Sequence, residues 1–214
     1  MRIAVAWAFL LILGTANDAE AQLCIGAPSF QEHKYQLGAG ATFTEGAGGV
    51  GGTFAAGGES LFGGGGLALF HFTDVATNSV NLSAFIGADL ATSTARRVFV
   101  CPLVQFALGS GPDVDPLDVS TIAVRGGANV GLVVSDNDAM MVVPTLGVGA
   151  TYQRLTAKFG GVDQSESNTS GVASVGVGFI FNRRVGITPE LSIPFAARGS
   201  NVIFSVTLTF NFGG

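Results

Sequence analysis

The stretch NVIFSVTLTFNF, residues 201–212, is the most informative segment of the sequence. Apolar side chains occupy every second position from Val202 to Phe212, and polar side chains stand between them, with Ile203 as the apolar exception. Successive side chains of a β-strand point to opposite faces, so this strand has one apolar face and one polar face. Such a strand fits either a soluble β-sandwich or the wall of a membrane barrel that turns its apolar face to lipid.

The N-terminus has the pattern of a secretory signal peptide, predicted over residues 1–21. Arg2 precedes an apolar run over residues 3–14, and the sequence AEA at 19–21 is an A-x-A cleavage site. The run of about 12 residues is shorter than the roughly 20 of a transmembrane helix, which disfavours a membrane anchor. We therefore expect export, followed by a periplasmic N-terminal segment over residues 22–33.

Composition favours the membrane barrel. Charged residues make up only 12% of the chain, about half the roughly 25% of ordinary soluble domains, and hydrophobic residues make up 48%. A wall that faces lipid needs few charges, whereas a soluble surface needs many. Without Arg2, Asp18 and Glu20 of the signal peptide, the net charge is −4, and no basic patch exists. Nucleic acid is therefore not expected as a partner.

We predict one all-β domain over residues 34–214, an antiparallel up-and-down transmembrane β-barrel of about ten strands. If the glycine-rich stretch 48–66 is a flexible loop, the count falls to eight. Glycine otherwise suits a small barrel, because it lets strands coil strongly. The predicted strands cover residues 34–44, 49–57, 62–73, 79–90, 98–108, 120–134, 140–155, 170–182, 185–195 and 201–212.

The apolar face of each strand is expected to meet lipid. In the third strand, Phe62, Ala68, Phe70 and Phe72 are assigned to that face. Aromatic side chains near strand ends would form girdles at the membrane interfaces. The aromatic residues predicted to face lipid are Tyr35, Phe70, Phe72, Phe106, Tyr152, Phe179, Phe181, Phe195, Phe204, Phe210 and Phe212.

The lengths of the connections predict the orientation. A bacterial barrel of even strand number starts and ends in the periplasm, with short periplasmic turns and longer outer loops. Outer connections are predicted at 45, 74–78, 110–119, 156–169 and 196–200, so the two longest lie outside. Periplasmic turns are predicted at 57–60, 91–97, 135–139 and 182–184.

The two cysteines, Cys24 and Cys101, predict a disulfide, because an exported chain meets an oxidising compartment. Cys101 lies near the periplasmic end of the fifth strand, with the parity of a side chain that points inward. Cys24 lies in the apolar segment 23–30, which the bond would hold as a plug under the barrel. The alternative is two free thiols and a free N-terminus. Closing a loop of about 77 residues would add roughly 4 kcal/mol in the chain-entropy model.

The alternating strands, such as YQLGAGATF at 35–43, together with the signal peptide and the aromatic tail, resemble the small outer-membrane barrels of the OmpA/OmpX-like superfamily. The resemblance covers the whole mature chain and carries no catalytic motif. It implies an outer-membrane location in a Gram-negative-type bacterium, lipid contact, and recognition of the C-terminal strand by the barrel-assembly machinery. Here Phe212 is followed by Gly213 and Gly214, whereas such proteins usually end on the aromatic residue.

No catalytic or metal-binding constellation stands out. Asp113 and Asp115 in an outer loop, and His71 followed by Asp74, lack the Asp-x-His pattern of omptin-type proteases, and His71 has no Ser partner at the spacing of lipid A deacylases. The two histidines are far apart in the sequence, and the acidic loop lacks the glycine and distal glutamate of an EF-hand. We expect no enzyme activity, no metal and no cofactor.

Three polar side chains on predicted strands point inward and define a lumenal polar network: Arg125, Glu190 and Gln105. Alternation keeps the charges off the lipid face, but a charge in a narrow lumen still requires a partner, so we expect Arg125 to pair with Glu190. The network is either a structural polar filling, as in small closed barrels, or the selectivity element of a pore.

The sequence therefore predicts an integral outer-membrane β-barrel with a structural or surface-interaction role. The alternative function is a narrow channel for small or apolar solutes. A membrane enzyme and a soluble β-sandwich are the less favoured classes.

Overall fold

The computed structural model describes residues 23–28, 30, 33–58, 60–73, 77–91, 97–111, 117–137, 139–159, 162–195 and 201–213. The predicted signal peptide lies outside these residues. Within them, no helix is both long enough and apolar enough to cross a membrane.

Ten long strands make up nearly all of the described chain. They are β1 Tyr35–Thr44, β2 Ala47–Gly57, β3 Leu61–Phe72, β4 Thr77–Ala88, β5 Val98–Ser110, β6 Leu117–Leu132, β7 Met140–Phe159, β8 Val162–Phe181, β9 Val185–Phe195 and β10 Ile203–Phe212. Two short segments, Leu90–Ala91 and Ser135–Asp136, pair with β5 and β7 at the periplasmic end. A 3-10 turn, Leu23–Ile25, precedes the barrel.

The strands form a closed antiparallel barrel. Each strand pairs with its neighbours in the chain, and β10 pairs with β1 from Tyr35↔Phe212 to Phe43↔Phe204. Closure leaves the wall without an open strand edge, which the lipid core requires. The glycine-rich β2 pairs along its whole length with both β1 and β3, so the ten-strand prediction is confirmed and the eight-strand alternative is wrong.

Apolar side chains cover the outside of the barrel, as predicted for most strands. The cross-strand pairs Val206↔Ala41 and Leu208↔Ala39 place the apolar positions of β10 beside those of β1, and Leu208 is 49% exposed. The exposed aromatic residues include six that the sequence assigned to lipid, namely Tyr35, Phe106, Tyr152, Phe195, Phe204 and Phe210.

The assignment of β3 is wrong, because its two faces are reversed. Leu67 pairs with Leu82 and is 48% exposed, so the leucines of β3 face lipid. Phe62 is 2% exposed, and Phe70 lines the lumen. The glycine run 63–66 carries no side chains that distinguish the faces, and phenylalanine suits both lipid and a packed interior. The parity of the three phenylalanines of β3 was therefore ambiguous.

The outer connection predicted at 156–169 is regular strand, apart from residues 160–161, which lie outside the described residues. β7 and β8 are each 20 residues long and pair without interruption from Val162↔Phe159 to Phe181↔Met140. Beyond the membrane both faces of a strand meet water, so the alternation that marks the wall disappears while the hydrogen bonds continue. Sequence periodicity could not detect this extension.

The tightest periplasmic turn lies where the sequence placed it. Asn182 and Arg183 have φ values of 47° and 56°, and the Arg184 amide donates to the Phe181 carbonyl over 3.0 Å. Two successive residues with positive φ are the mark of a type I′ turn, whose twist matches that of the strands it joins. Asparagine tolerates this conformation better than most residues.

Introducing arginine at Val206 should test the facing of β10. Val206→Arg places a charge on the lipid face and is expected to destabilise the inserted barrel by about 2–4 kcal/mol. The matched control is Thr207→Arg, one residue along the same strand, where the side chain enters the lumen. Urea unfolding from lipid vesicles measures both changes, and equal losses at the two sites would contradict the facing.

Candidate functional site: a plugged lumen

A disulfide joins the N-terminal segment to the barrel wall. Cys24 and Cys101 are bonded, with their Cα atoms 5.8 Å apart, and both are fully buried. A Cα separation in this range is ordinary for a disulfide. Cys101 points inward on β5, beside the buried Phe99 and opposite Asn129 of β6. The structure thus joins the two cysteines that the sequence paired.

The N-terminal segment fills the periplasmic end of the barrel. We call residues 23–28 and Phe30 the plug. Phe30 is 2% exposed and packs against Phe62 of β3, with 6.4 Å between ring centroids. Phe62 packs in turn against Phe85 of β4 at 6.5 Å. Around the disulfide, the main buried apolar cluster combines plug and wall: Cys24, Phe30, Ala55, Phe62, Phe99, Cys101, Val133, Met141, Val143 and Ile180.

Hydrogen bonds fix the backbone of the plug to the inner wall. The Thr188 hydroxyl donates to the Gly26 carbonyl over 2.8 Å, and the Asn211 amide donates to the Pro28 carbonyl over 3.2 Å. Asn211 also accepts from the Gln36 amide over 2.8 Å, and Asn211 is fully buried. A buried carbonyl without a donor is costly, so these side chains are what allows irregular backbone inside the barrel.

Glycines of the wall make the seat for the plug. A Cβ at Gly178 would collide with the Gly26 backbone, and one at Gly57 would lie 2.5 Å from the Phe30 ring. A Cβ at Gly186 would lie 2.7 Å from Pro28. Gly26 itself has a φ of +74°, which favours glycine. These glycines let the plug approach the wall at backbone distance.

A cavity of about 320 Å³ lies above the plug. Its floor includes Ile25 and Ala27 of the plug, and its walls carry the three residues of the predicted lumenal polar network, Arg125, Glu190 and Gln105. Gln105 and Arg125 are directly opposite each other in the pairing of β5 with β6. The three side chains therefore face one space, although Glu190 comes from a strand that is not adjacent to the other two.

The structure does not bring Arg125 and Glu190 into an ion pair. The Glu190 carboxylate accepts from the Ser192 hydroxyl over 2.9 Å. Arg125 makes no hydrogen bond or ion pair with any side chain that the structure describes. β6 and β9 are separated by β7 and β8 around the wall, so the cavity lies between the two charges.

Of the remaining candidates for chemistry, the structure describes His71 and His33, which lie at opposite ends of the barrel. His71 lies on the outer rim, where its ring is 2.9 Å from the Asn78 side chain. Asp74, Asp113 and Asp115 lie outside the described residues. His33 is buried near the plug and accepts from the Arg184 guanidinium over 3.1 Å.

Asp89 is the buried residue that sequence reasoning overlooked. It is fully buried, and its carboxylate lies within 4.8 Å of both sulfurs of the disulfide. These three residues are the one group in the described chain with the spacing of metal ligands, but the sulfurs are bonded to each other. The sequence offered one signal for this site: an acidic residue at an inward-facing position of the apolar stretch IGADLA, residues 86–91.

A closed antiparallel barrel with an apolar outer surface is the architecture of an integral outer-membrane protein. The chain belongs to the outer membrane protein beta-barrel domain family, whose model matches residues 8–212. Its place is thus the outer membrane of a Gram-negative-type bacterium, in contact with membrane lipid. No match was found among curated proteins.

Solved structures similar to this chain include three bacterial barrels. The N-terminal beta-barrel domain of Pseudomonas aeruginosa OprF has 11% identity and a TM-score of 0.39, over 84% of this chain and 98% of that one. Ail, the attachment invasion locus protein of Yersinia pestis, has 12% identity and a TM-score of 0.41, over 84% and 97%. The translocator domain of the autotransporter NalP from Neisseria meningitidis has 12% identity and a TM-score of 0.49, over 84% and 88%.

Replacing Gly178 should test the seat of the plug. Gly178→Ala puts a methyl group into the Gly26 backbone, and overpacking of this kind costs about 1–3 kcal/mol. We expect a lower stability and slower formation of the disulfide on refolding, measured as thiols accessible to a maleimide reagent. Gly126→Ala is the matched control, because nothing lies within 4 Å of a Cβ there. Equal stability and equal thiol accessibility of the two variants would contradict close packing of the plug against Gly178.

Proposed function

We propose that the protein is a plugged, non-enzymatic outer-membrane barrel with a structural and surface-interaction role. The observation that carries this proposal is the covalent bond between Cys24 of the plug and Cys101 of the wall. In this proposal residues 1–21 direct export, and residues 22–33 form the periplasmic segment that includes the plug. The barrel over residues 34–214 then presents its extended strands outside the cell.

The packing of the plug supports a closed periplasmic mouth. The plug is held by one covalent bond, by the two hydrogen bonds to its carbonyls, and by burial of Phe30. Full burial of a large apolar side chain contributes about 1.5–3 kcal/mol. Small barrels commonly fill their interior with side chains, and here a chain segment adds to that filling.

The outer extension of β6, β7 and β8 supports a surface role. Leu117 of β6 pairs with Phe159 of β7, so three strands continue together beyond the other seven. Cross-strand contacts hold the extension, with the Thr156 and Ser165 hydroxyls 3.0 Å apart. Residues 163–169 are all exposed. A hydrogen-bonded sheet of this kind offers a partner a defined polar surface, unlike a flexible loop.

Recognition of the C-terminal strand by the barrel-assembly machinery is part of the proposal. The aromatic residues at the end of β10 form an exposed cluster, with 6.3 Å between the ring centroids of Phe210 and Phe212 and 5.7 Å between Tyr35 and Phe212. Gly213 follows with a φ of +78°, and its carbonyl accepts a hydrogen bond from the Lys34 amide over 2.8 Å. The aromatic side chains thus stay at the wall although two glycines follow them.

A narrow channel for small solutes is the second candidate function. The polar cavity above the plug favours it, because a lumen filled only for stability would have no such space. Conduction would require the plug to move away from Thr188 and Asn211, breaking both hydrogen bonds and exposing Phe30.

Conductance in planar bilayers separates the two functions. We expect the oxidised mature chain to be closed and a variant that lacks residues 22–33 to conduct steadily, because its periplasmic mouth is then open. The double variant Cys24→Ala, Cys101→Ala is expected to open only transiently, since packing still holds the plug. Steady conductance of the oxidised chain, equal to that of the deletion variant, would contradict the proposed plug and favour the channel.

A further inference from the structure

We propose that the cavity above the plug binds a small zwitterion, with its anionic group at Arg125 and its ammonium group at Glu190. The inference rests on the proposed function only in that the plug supplies the floor of the cavity. Conductance measurements test the plug, and binding measurements test the cavity. The proposed function and the proposed binding site can therefore be refuted independently.

Arg125 supplies the cationic end of the proposed site. Arg125 points into the cavity from the middle of β6, and no side chain in the described part of the chain bonds to its guanidinium. A guanidinium has five donors in a planar fork that fits a carboxylate or phosphate through two parallel hydrogen bonds. Gln105, beside it on β5, adds amide donors at the same wall. This wall therefore suits an anionic group.

Glu190 supplies the anionic end of the proposed site. Glu190 lines the same cavity from β9 and uses one oxygen to accept from Ser192, which holds its side chain in place. Carboxylates accept several hydrogen bonds, so capacity remains for an ammonium group. Ser205, directly opposite Glu190 on β10, contributes a further hydroxyl to this wall.

The space between the two charges has the volume and the lining of a small-molecule site. The cavity of about 320 Å³ lies within the range of roughly 300–1,000 Å³ that is usual for small-molecule sites. Apolar side chains lie around its lower part, including Ile25, Phe62, Phe85 and Leu103. An apolar pocket with a few convergent polar groups is the usual form of a small-molecule site.

The cavity also continues away from the plug. A second cavity of about 150 Å³ shares Thr53 and Thr207 with the first and extends along the glycine-rich inner faces of β1 to β3 as far as Thr42 and Phe70. Glycines such as Gly38, Gly40 and Gly51 are among the residues that line it. The site thus lies at the bottom of a well that continues toward the outer ends of the strands.

Three probes of nearly equal size test the proposal on the folded, oxidised protein in detergent micelles. 5-Aminopentanoate carries both charges, pentanoate lacks the ammonium group, and pentylamine lacks the carboxylate. Isothermal titration calorimetry should give 5-aminopentanoate at least tenfold tighter binding than either other probe. Equal binding of all three, or no saturable binding of 5-aminopentanoate at millimolar concentrations, would overturn the proposal.

Variants then assign the two ends. Arg125→Gln should abolish the advantage of 5-aminopentanoate over pentylamine, and Glu190→Gln should abolish its advantage over pentanoate. The control Arg154→Gln removes an exposed arginine of β7 and should change neither ratio. Because each variant retains binding of one probe, a folded variant is distinguished from a misfolded one. Unchanged ratios in both lumenal variants would overturn the assignment.

Discussion

The hydrogen-bond ladder between β1 and β10 is the constraint on which the rest of the structure depends. It joins the first strand to the last over nine residue pairs, from Tyr35↔Phe212 to Phe43↔Phe204, and leaves the wall without an edge. In lipid an unpaired strand edge is too costly to persist, so the wall exists only when closed. Closure also fixes the side-chain parity of every strand relative to its neighbours. Once β10 turns Leu208 to lipid, the register decides which side chains of the other nine strands enter the lumen.

A closed wall encloses a lumen, and the glycines and the plug together determine how that lumen is filled. A ten-stranded barrel encloses space that must be filled by side chains, by chain or by water. On β1 to β3 several inner positions are glycine, among them Gly38, Gly40 and Gly51, and a cavity remains there. Toward the periplasm the space is filled by an N-terminal segment, whose backbone approaches the wall at Gly178 and Gly186. Glycine therefore leaves space in one half of the lumen, and in the other half it admits another piece of chain.

Much of this architecture could be predicted from the sequence, because a wall between lipid and lumen requires apolar and polar side chains to alternate. Alternation placed ten strands and the apolar face of β10, and the parity of Cys101 placed its sulfur inside the barrel. Alternation failed where it carries no signal, in the glycine run before Leu67 and in the polar extension of β7 and β8. The separation of Arg125 from Glu190 could not be predicted either, because the order of the strands does not give the distance across the lumen between β6 and β9. A one-dimensional pattern assigns a side chain to a face but does not determine its partner across the lumen.

The two halves of the lumen differ in how they treat polar groups. At the plug, hydrogen bonds join Gln36 to Asn211 and Asn211 to Pro28, beside an apolar cluster that also borders the buried Asp89 carboxylate. Above the plug, Arg125 and Glu190 stand apart across a cavity. A matched network rigidifies, whereas separated charges retain the capacity to bind something else. The disulfide lies within the packed half, where it holds the plug in place and thereby fixes the floor of the half that remains open.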